Sequence, residues 1–357
     1  MVKFSRRELL AGAILVSAGT LIGCAPQPSV KVKPQQSGVT VAPQETSTPA
    51  PEGSAGTLIG DDPQPSVEEK PQQSGVTAVP QETSTPTPKP AYLAVARGDS
   101  AEEITKRALA ALGGMERFVK DGYDVIIKPN ICNANHGPEY ASTTNPQVVA
   151  TLVKLAFAAG AKRVRVMDSP FAGTMPAAYA KSGVGAAVEA AGGEMEIMKP
   201  ARFVQVDIPD GVDLKEWSFY QPVLDADLVI NVPIAKHHSL AKLTLGGKNL
   251  MGVIQNRPAM HRNLGQRIAD LTSLVRPQLA VIDAVRMLMA HGPTGGNLAD
   301  VKQANTVIAS HDIVAADAYA ATLFEMRPDE IAYIVAADSM GIGTMDLANI
   351  KIEELSV

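Results

Sequence analysis

Cysteine is nearly missing from the sequence, because Cys24 and Cys132 are the only two. Two cysteines exclude a disulfide framework, a zinc finger and an iron–sulfur cluster held by the chain's own thiolates. A basic surplus is also missing, since the formal net charge is -5 and the pI is near 5.7. We therefore expect no nucleic-acid partner. The 357 residues are enough for one large globular domain or two small ones, plus tails.

Long apolar runs are missing as well. The uncharged run over residues 9–23 is short and rich in glycine and alanine, unlike a transmembrane helix. It follows the pair Arg6-Arg7, which is typical of a Tat export signal, and it ends at Cys24 in a sequence that resembles a bacterial lipobox. We predict a Tat-type lipoprotein signal over residues 1–24, with an uncleaved membrane anchor as the alternative. Its partners would be the Tat machinery and membrane lipid through Cys24, which places the protein outside the cytoplasmic membrane.

Residues 25–90 contain mostly Pro, Gln, Ser, Thr and Val, with no helical pattern. Three segments recur 37 residues further along: 19–23 as 56–60, 34–40 as 71–77, and 43–49 as 80–86. The repeat has no apolar face to bury, so it does not predict a solenoid. We predict a disordered linker that a tandem duplication has lengthened, which gives the following domain reach from the membrane.

From residue 91 to residue 357 the pattern changes to alternating strands and helices. Short apolar runs predict strands over 92–96, 124–128, 163–167, 194–198, 203–208, 228–232, 279–283, 306–309 and 349–353. Helical periodicity and capping residues predict helices over 100–119, 145–159, 176–191, 263–275, 313–324 and 329–337. This alternation predicts an α/β domain with a mostly parallel sheet and helices on both faces.

The segment from Leu228 to His261 is the strongest candidate for a functional site. A buried strand ends near Pro233, and Lys236, His237 and His238 follow it directly. Next come Gly246, Gly247, Lys248 and Asn249, and then His261. Ligands of α/β sheets bind beyond the carboxyl ends of strands, so these residues predict an active or binding site.

Three other predicted strands also end in polar residues. Lys128 and Asn130 follow one, Asp168 follows the next, and Asp283 ends a later one. Because parallel strand ends share one rim, we expect these residues to line one cleft with Lys236, His237 and His238. Each acid alone is equally well explained as a helix cap, and Lys128 alone as a surface lysine.

Two further loops supply candidates. The glycine-rich loop that contains Gly292 can offer backbone N–H groups to an anion or can be a plain turn. The polar loop over residues 133–145 can cover a site. Cys132 beside it is either a thiolate or, as we favour, a small buried hydrophobe. Asp317, on the helix that follows His311-Asp312, can also face the cleft.

Over roughly residues 95–354 the domain resembles family 362 of the domains of unknown function. The matching segments include Lys128-Pro129-Asn130, Asp168-Ser169, residues 225–233, Lys236-His237-His238, residues 248–252, His261, Asp283, Gly292-Pro293 and residues 309–317. Ile313 departs from the proline that is usual there. Some members carry a ferredoxin-like cysteine cluster, which this chain lacks, so no iron–sulfur cluster is expected.

The segment from Pro233 to His261 is similar to one in the lactate racemase family. That resemblance implies Lys248 as the covalent tether of a nickel-pincer nucleotide, His261 as a nickel ligand, and His238 as an acid/base or second ligand. The gap between Lys248 and His261 is shorter here. The implied cofactor is therefore a transition metal or a nickel-pincer-type nucleotide.

Two functions remain open. In the first, the protein is a metal- or cofactor-assisted enzyme, of redox or isomerase type, that acts on a small anionic molecule. Lys128, Lys236 and Lys248 supply charge, and His237 or His238 transfers protons near neutral pH. Lys236 and Asp168 are predicted as catalytic residues together with these two histidines. Asn130, Gly246, Gly247, Asn249, Asp283 and Gly292 complete the cofactor-binding set. In the second, the protein is a lipoprotein that captures an anion or metal without catalysis.

Overall fold

A computed structural model describes residues 90–357. The predicted signal over 1–24, with Cys24, and the predicted linker lie outside these described residues, except for residue 90. Among the helices of the described part, none combines the length and the apolar character needed to cross a membrane.

A single large sheet organises the described residues. Its strands are β1 (Leu93–Arg97), β2 (Asp124–Pro129), β3 (Arg163–Val166), β4 (Glu194–Met195), β7 (Leu228–Val232), β8 (Ile234–His238), β9 (Lys242–Thr244), β10 (Leu279–Leu288), β11 (Val301–Ser310) and β12 (Ile352–Ser356). Their main order is β12-β1-β11-β10-β7-β2-β3-β4, and β8 pairs with both β10 and β9. A separate antiparallel pair contains β5 (Phe203–Asp207) and β6 (Glu216–Tyr220).

The sheet is parallel from β10 through β7, β2 and β3 to β4, and β12 runs parallel to β1. Only β11 and β9 run antiparallel to their neighbours in this sheet, within the described residues. The prediction of a mostly parallel α/β sheet is confirmed. β7 lies near the middle of the order and is buried along its whole length, as its continuous apolar sequence predicts.

Helices cover both faces of the sheet. They are α1 (Ala101–Ala111), α2 (Pro146–Ala158), α3 (Met175–Lys181), α4 (Val184–Ala190), α5 (Gln221–Asp225), α6 (Gly246–Asn249), α7 (Leu264–Val275), α8 (Ile313–Thr322) and α9 (Ala332–Ser339). Alternating residues of β2 enter two separate apolar cores, with Ile126 in one and Val125 and Ile127 in the other. This is the two-faced burial that a parallel sheet requires.

Several predicted boundaries move. The helix predicted over 100–119 begins correctly, since Ser100 caps it by accepting from the Glu103 N–H, but it ends at Ala111. Gly113 and Gly114 follow with positive φ, which glycine adopts without strain. The helix predicted over 176–191 is divided into α3 and α4 at Gly183 (φ +72°). The strand predicted over 306–309 is the longer β11, which pairs with two antiparallel neighbours.

The stretch after β7 forms a hairpin and a short helix. β8 and β9 pair so that Lys236 lies opposite Thr244. The helix α6 then carries Lys248 and Asn249, and the N–H groups of Gly246 and Gly247 at its start donate to the carboxylate of Asp317. Burial raises the pKa of Asp317 to about 7, even though those two N–H groups favour its ionised form. Asp317 therefore holds α6 in place, and it is not among the residues that line the cavity containing Lys128 and Lys248.

We expect Asp317→Ala to lower the free energy of unfolding by about 1–3 kcal/mol at pH 6, below the raised pKa of Asp317, because there it removes no buried charge and leaves two buried N–H groups without an acceptor. Asp329→Ala is the matched control, since Asp329 forms an exposed ion pair with Arg327. The control should change stability by less than about 1 kcal/mol. Denaturant unfolding monitored by circular dichroism measures both. Equal effects of the two substitutions would contradict this role for Asp317.

Candidate active site

A cavity of about 300 Å³ lies beyond the carboxyl ends of β2 and β3, beside the β8–β9 hairpin and α6. Eight of the residues that the sequence predicts for the site line it together: Lys128, Asn130, Asp168, Lys236, His238, Lys248, Asn249 and His261. The expected convergence of distant strand ends therefore occurs for these eight. Their chemical roles stay predictions.

The other predicted residues lie outside the lining. His237 is absent from the lining because side chains alternate along a strand: Lys236 and His238 share one face of β8, and His237 points to the other. Its Nδ1 accepts from the Gly292 N–H, so that backbone group is not offered to an anion. Gly246 and Gly247 are likewise committed to Asp317.

Asp283 is also not among the lining residues. Its carboxylate is buried and accepts from the N–H groups of Asn145 and Val285. Burial raises its pKa to about 6, and the two N–H groups oppose that shift. Asp283 fixes the start of α2 against β10. This is a structural role of the kind that the sequence left open for each acid at a strand end.

The ammonium group of Lys128 has no donor left for a ligand. It bonds to Asp168 Oδ1 at 2.8 Å, to Asn249 Oδ1 at 2.8 Å and to the Pro129 carbonyl at 2.9 Å. An ammonium group has three N–H donors, so all are used. Burial lowers the pKa of Lys128, and the charge of Asp168 opposes this. The prediction that Lys128 supplies charge to the site stays a prediction, and its three protein partners hold that ammonium group in a fixed position.

Lys236 is saturated in the same way. Its Nζ donates to the carbonyl oxygens of Ser142 (2.8 Å) and Pro293 (2.9 Å) and to Asn130 Oδ1 (2.9 Å). No carboxylate is among these three partners. Lys236 therefore contributes positive potential to the cavity rather than a hydrogen bond. Asn130 Nδ2 donates to Asn249 Oδ1, which connects the two saturated lysines in one network.

Lys248 differs from both. Its side chain lines the cavity and makes no hydrogen bond or ion pair with any described residue. Burial, together with the charges of Lys236, Arg257 and Lys128, lowers its pKa to about 8. Near neutral pH the amine therefore exchanges readily between a charged donor and a neutral nucleophile.

The hydrogen bonds of His238 assign its tautomer. Nδ1 accepts from the N–H groups of Leu240 (3.1 Å) and Ala241 (3.2 Å), so the ring proton is on Nε2. Burial and the charges of Lys248 and Lys236 lower the pKa of His238 to about 3, which keeps the ring neutral. A protonated Nε2 donates and does not bind a metal, so this geometry favours ligand binding over the metal-ligand role.

His261 has the opposite arrangement. Its Nδ1 lies 3.0 Å from the Pro258 carbonyl, which only accepts, so Nδ1 carries the proton and the Nε2 lone pair is available. This is the tautomer of a general base or a metal ligand. The described residues contain no group of three or more His, Cys, Asp or Glu side chains that can hold a metal. A metal bound at His261 would therefore need ligands from another bound molecule.

The site prediction left out several residues that line the cavity, among them Arg257, Thr244 and Cys132. Arg257 donates to the carbonyls of Ser169 and Pro170 and adds a fourth positive charge. Cys132 is buried, as expected, yet its thiol lines the cavity and donates to the Pro293 carbonyl. If a second strand had been predicted after His238, its pairing with β8 would have placed Thr244 beside Lys236. The sequence between these strands has no clear turn signal, so that strand was not predicted.

We expect Lys128→Met to lower the free energy of unfolding by about 3–5 kcal/mol, because Asp168 keeps a buried charge without its partner. The control is Arg163→Met, which breaks an ion pair with Glu194 whose side chains are 49% and 55% exposed. That change should cost no more than about 1 kcal/mol. Denaturant unfolding compares the two variants. Losses of similar size would show that the Lys128–Asp168 pair is not a structural anchor.

We also expect Lys248 to titrate apart from the surface lysines. Competitive labelling with limiting acetic anhydride, read by peptide mass spectrometry from pH 6 to pH 11, should give a half-maximal reactivity near pH 8 at Lys248. The exposed Lys242 is the internal control within the same digest. At pH 7 the neutral fraction of Lys248 would exceed that of a lysine with the ordinary pKa of ~10.4 roughly 200-fold. Coincident midpoints would contradict the environment described for Lys248.

Comparisons with known proteins find a sequence relative and a solved structure. A protein of Synechocystis sp. described as thylakoid-associated is 27% identical over 243 residues, which cover 66% of this chain and 73% of that protein. A solved structure, the lactate racemase apoprotein from Thermoanaerobacterium thermosaccharolyticum, aligns with a TM-score of 0.39 and 14% identity. That alignment covers 64% of this chain and 56% of the racemase, so the chain matches little more than half of the racemase's length.

Residues 125–322 match the family model described as "Domain of unknown function (DUF362)". The matched segment begins in β2 and ends with α8, and it contains every residue placed in the cavity above. The resemblance inferred from the sequence motifs is thereby confirmed, and the chain belongs to the DUF362 family.

Proposed function

We propose that the cavity is the active site of an enzyme that acts on a small anionic molecule. The observation that carries this proposal is Lys248, a half-buried amine that lines the cavity and makes no hydrogen bond or ion pair with any described residue. Buried charged groups normally have partners, and an amine kept without one is typical of a group that meets a ligand.

The charge of the cavity supports an anionic ligand. Its lining contains Lys128, Lys236, Lys248 and Arg257 against the single carboxylate of Asp168. Because the site is recessed, these charges are screened less than surface charges and attract anions more strongly. Lys128 and Lys236 act through space, whereas Lys248 makes the direct contact.

The two imidazoles support catalysis rather than capture alone. His238 offers a proton-bearing Nε2 and His261 an Nε2 lone pair, and both line the same cavity. One donor and one acceptor are what a proton transfer across a bound substrate needs. In this proposal His261 is the base, His238 holds the substrate as a neutral donor, and Lys248 is the cation or nucleophile.

A cofactor also fits these residues. If a nickel-pincer-type nucleotide binds, Lys248 would be its tether and His261 a metal ligand, and the group would supply redox chemistry. The free Nε2 of His261 and the unpaired amine of Lys248 are compatible with those roles. Mass spectrometry and elemental analysis of protein purified from its source would detect added mass on Lys248 or a stoichiometric metal.

The binding test uses oxalate and inorganic phosphate as probes in isothermal titration calorimetry. Lys248→Met should weaken binding about ten- to a hundredfold, since a hydrogen bond to a charged group contributes about 1.5–3 kcal/mol. The wild-type affinity should begin to fall above about pH 8, where Lys248 loses its proton, and this step should vanish in the variant. Lys242→Met is the control and should bind like the wild type. Failure of both anions to bind the wild-type protein would contradict the proposal.

Enzyme and binding protein are then distinguished by His261→Ala. An enzyme should lose turnover of its substrate while the variant keeps most of its anion affinity, because His261 contributes no positive contact when neutral. If no substrate is turned over and only binding is found, the protein is a ligand-capturing protein.

We further propose that the chain is exported through Tat and held on the outer side of the cytoplasmic membrane by lipid on Cys24. The proposal rests on Arg6-Arg7 and the lipobox-like sequence that ends at Cys24. Several acyl chains anchor firmly, since each buried CH₂ adds ~0.8 kcal/mol of membrane affinity. Cys24→Ala should abolish palmitate labelling and release the chain from washed membranes. Replacement of Arg6-Arg7 by lysines should retain it in the cytoplasm. A Cys24→Ala variant that is still labelled would contradict the assignment.

A further inference from the structure

Thr244 is a cavity residue whose hydroxyl has no protein partner. The residue is 4% exposed, and its Oγ1 is one of two buried side-chain polar atoms of the described residues that make no hydrogen bond. Buried hydroxyl groups are nearly always paired, because leaving one unpaired costs free energy. Thr244 thus retains an unsatisfied hydroxyl on a residue that lines the cavity.

The pairing of the hairpin places this hydroxyl among the other cavity groups. Thr244 lies directly opposite Lys236 in the β8–β9 pair, so the two side chains share one face. His238 is two residues beyond Lys236 on that same face. All three line the cavity, together with Lys248 from the helix that follows β9.

The hydrogen bonds decide which of these groups can meet a ligand. Lys236 has no N–H left, since its three donors bind Asn130, Ser142 and Pro293. His238 has one donor, Nε2–H, and it stays neutral because its Nδ1 accepts from two backbone N–H groups. Thr244 has its hydroxyl. The hairpin therefore presents two neutral donors, and Lys248 from the following helix adds a cation that lines the same cavity.

We propose that Thr244 and His238 form a binding site for the anionic oxygens of the ligand, a carboxylate or a phosphate group, in which Thr244 determines specificity. The inference rests on the proposed function and names the groups that bind the anion. Lys248 neutralises the anion, and the hydroxyl and the imidazole N–H orient it. The fixed positive potential of Lys128 and Lys236 favours the same ligand without touching it.

The test compares Thr244→Val, which keeps the shape and removes the hydroxyl, with Thr244→Ser, which keeps the hydroxyl. Binding of oxalate and of inorganic phosphate is measured by calorimetry, and the denaturant midpoint is measured without either anion. Thr244→Val should weaken binding of the preferred anion about tenfold without lowering the midpoint, because it removes an unpaired buried hydroxyl. Thr244→Ser should bind within about twofold of the wild type. The anion more affected identifies the ligand as carboxylate or phosphate.

Thr105→Val is the control, because Thr105 is buried in α1 and its hydroxyl is bonded to the Ala101 carbonyl. It should leave anion binding unchanged. If Thr244→Val binds like the wild type while Lys248→Met does not, the role of Thr244 is overturned and the proposed function survives. If Thr244→Ser loses as much affinity as Thr244→Val, packing rather than the hydroxyl matters, which also overturns it. If the wild type binds neither anion, both proposals fail.

Discussion

The constraint on which this cavity depends is that two lysine ammonium groups are buried and must be fully bonded. Lys128 and Lys236 are each about 1% exposed, and burying a cation without partners is very costly. Six acceptors bind the N–H donors of the two ammonium groups, and only Asp168 among them is a carboxylate. Asn130 and Asn249 connect the two lysines, so β2, β8 and α6 are held in one network.

This network divides the cavity into a fixed part and an available part. The fixed part has more positive than negative charge, because neutral carbonyls and amides satisfy the ammonium donors without cancelling the charge. The available part contains Lys248, His238, His261 and the hydroxyl of Thr244, which have capacity left for a ligand. An anion would complete both parts, since it balances the charge and meets the unpaired donors.

Much of the fold follows from the sequence alone. Continuous apolar runs such as Leu228–Val232 predict buried parallel strands, and the strand-end rule brings Lys128, Asp168 and Lys236 to one rim.

The sequence does not show on which face a side chain after Pro233 points, because that depends on whether the chain continues as a strand. It does continue as β8, so His238 enters the cavity and His237 does not. Nor does sequence reveal that the donors of Lys128 and Lys236 are used, since their partners lie far away along the chain. Asp283 and Gly292 stay outside the cavity for the same reason: the backbone N–H of Asn145 engages the Asp283 carboxylate, and the His237 imidazole engages the Gly292 N–H.

The most direct measurement is a crystal structure of the protein grown with the tighter-binding of the two anion probes. The account predicts the anion inside the cavity within hydrogen-bond distance of Lys248 Nζ and His238 Nε2, while Lys128 and Lys236 keep their present protein partners. An anion that binds by displacing Asp168 or the Pro293 carbonyl from those two lysines would contradict the division between fixed and available charge. An anion found only outside the cavity would contradict the assignment of the site.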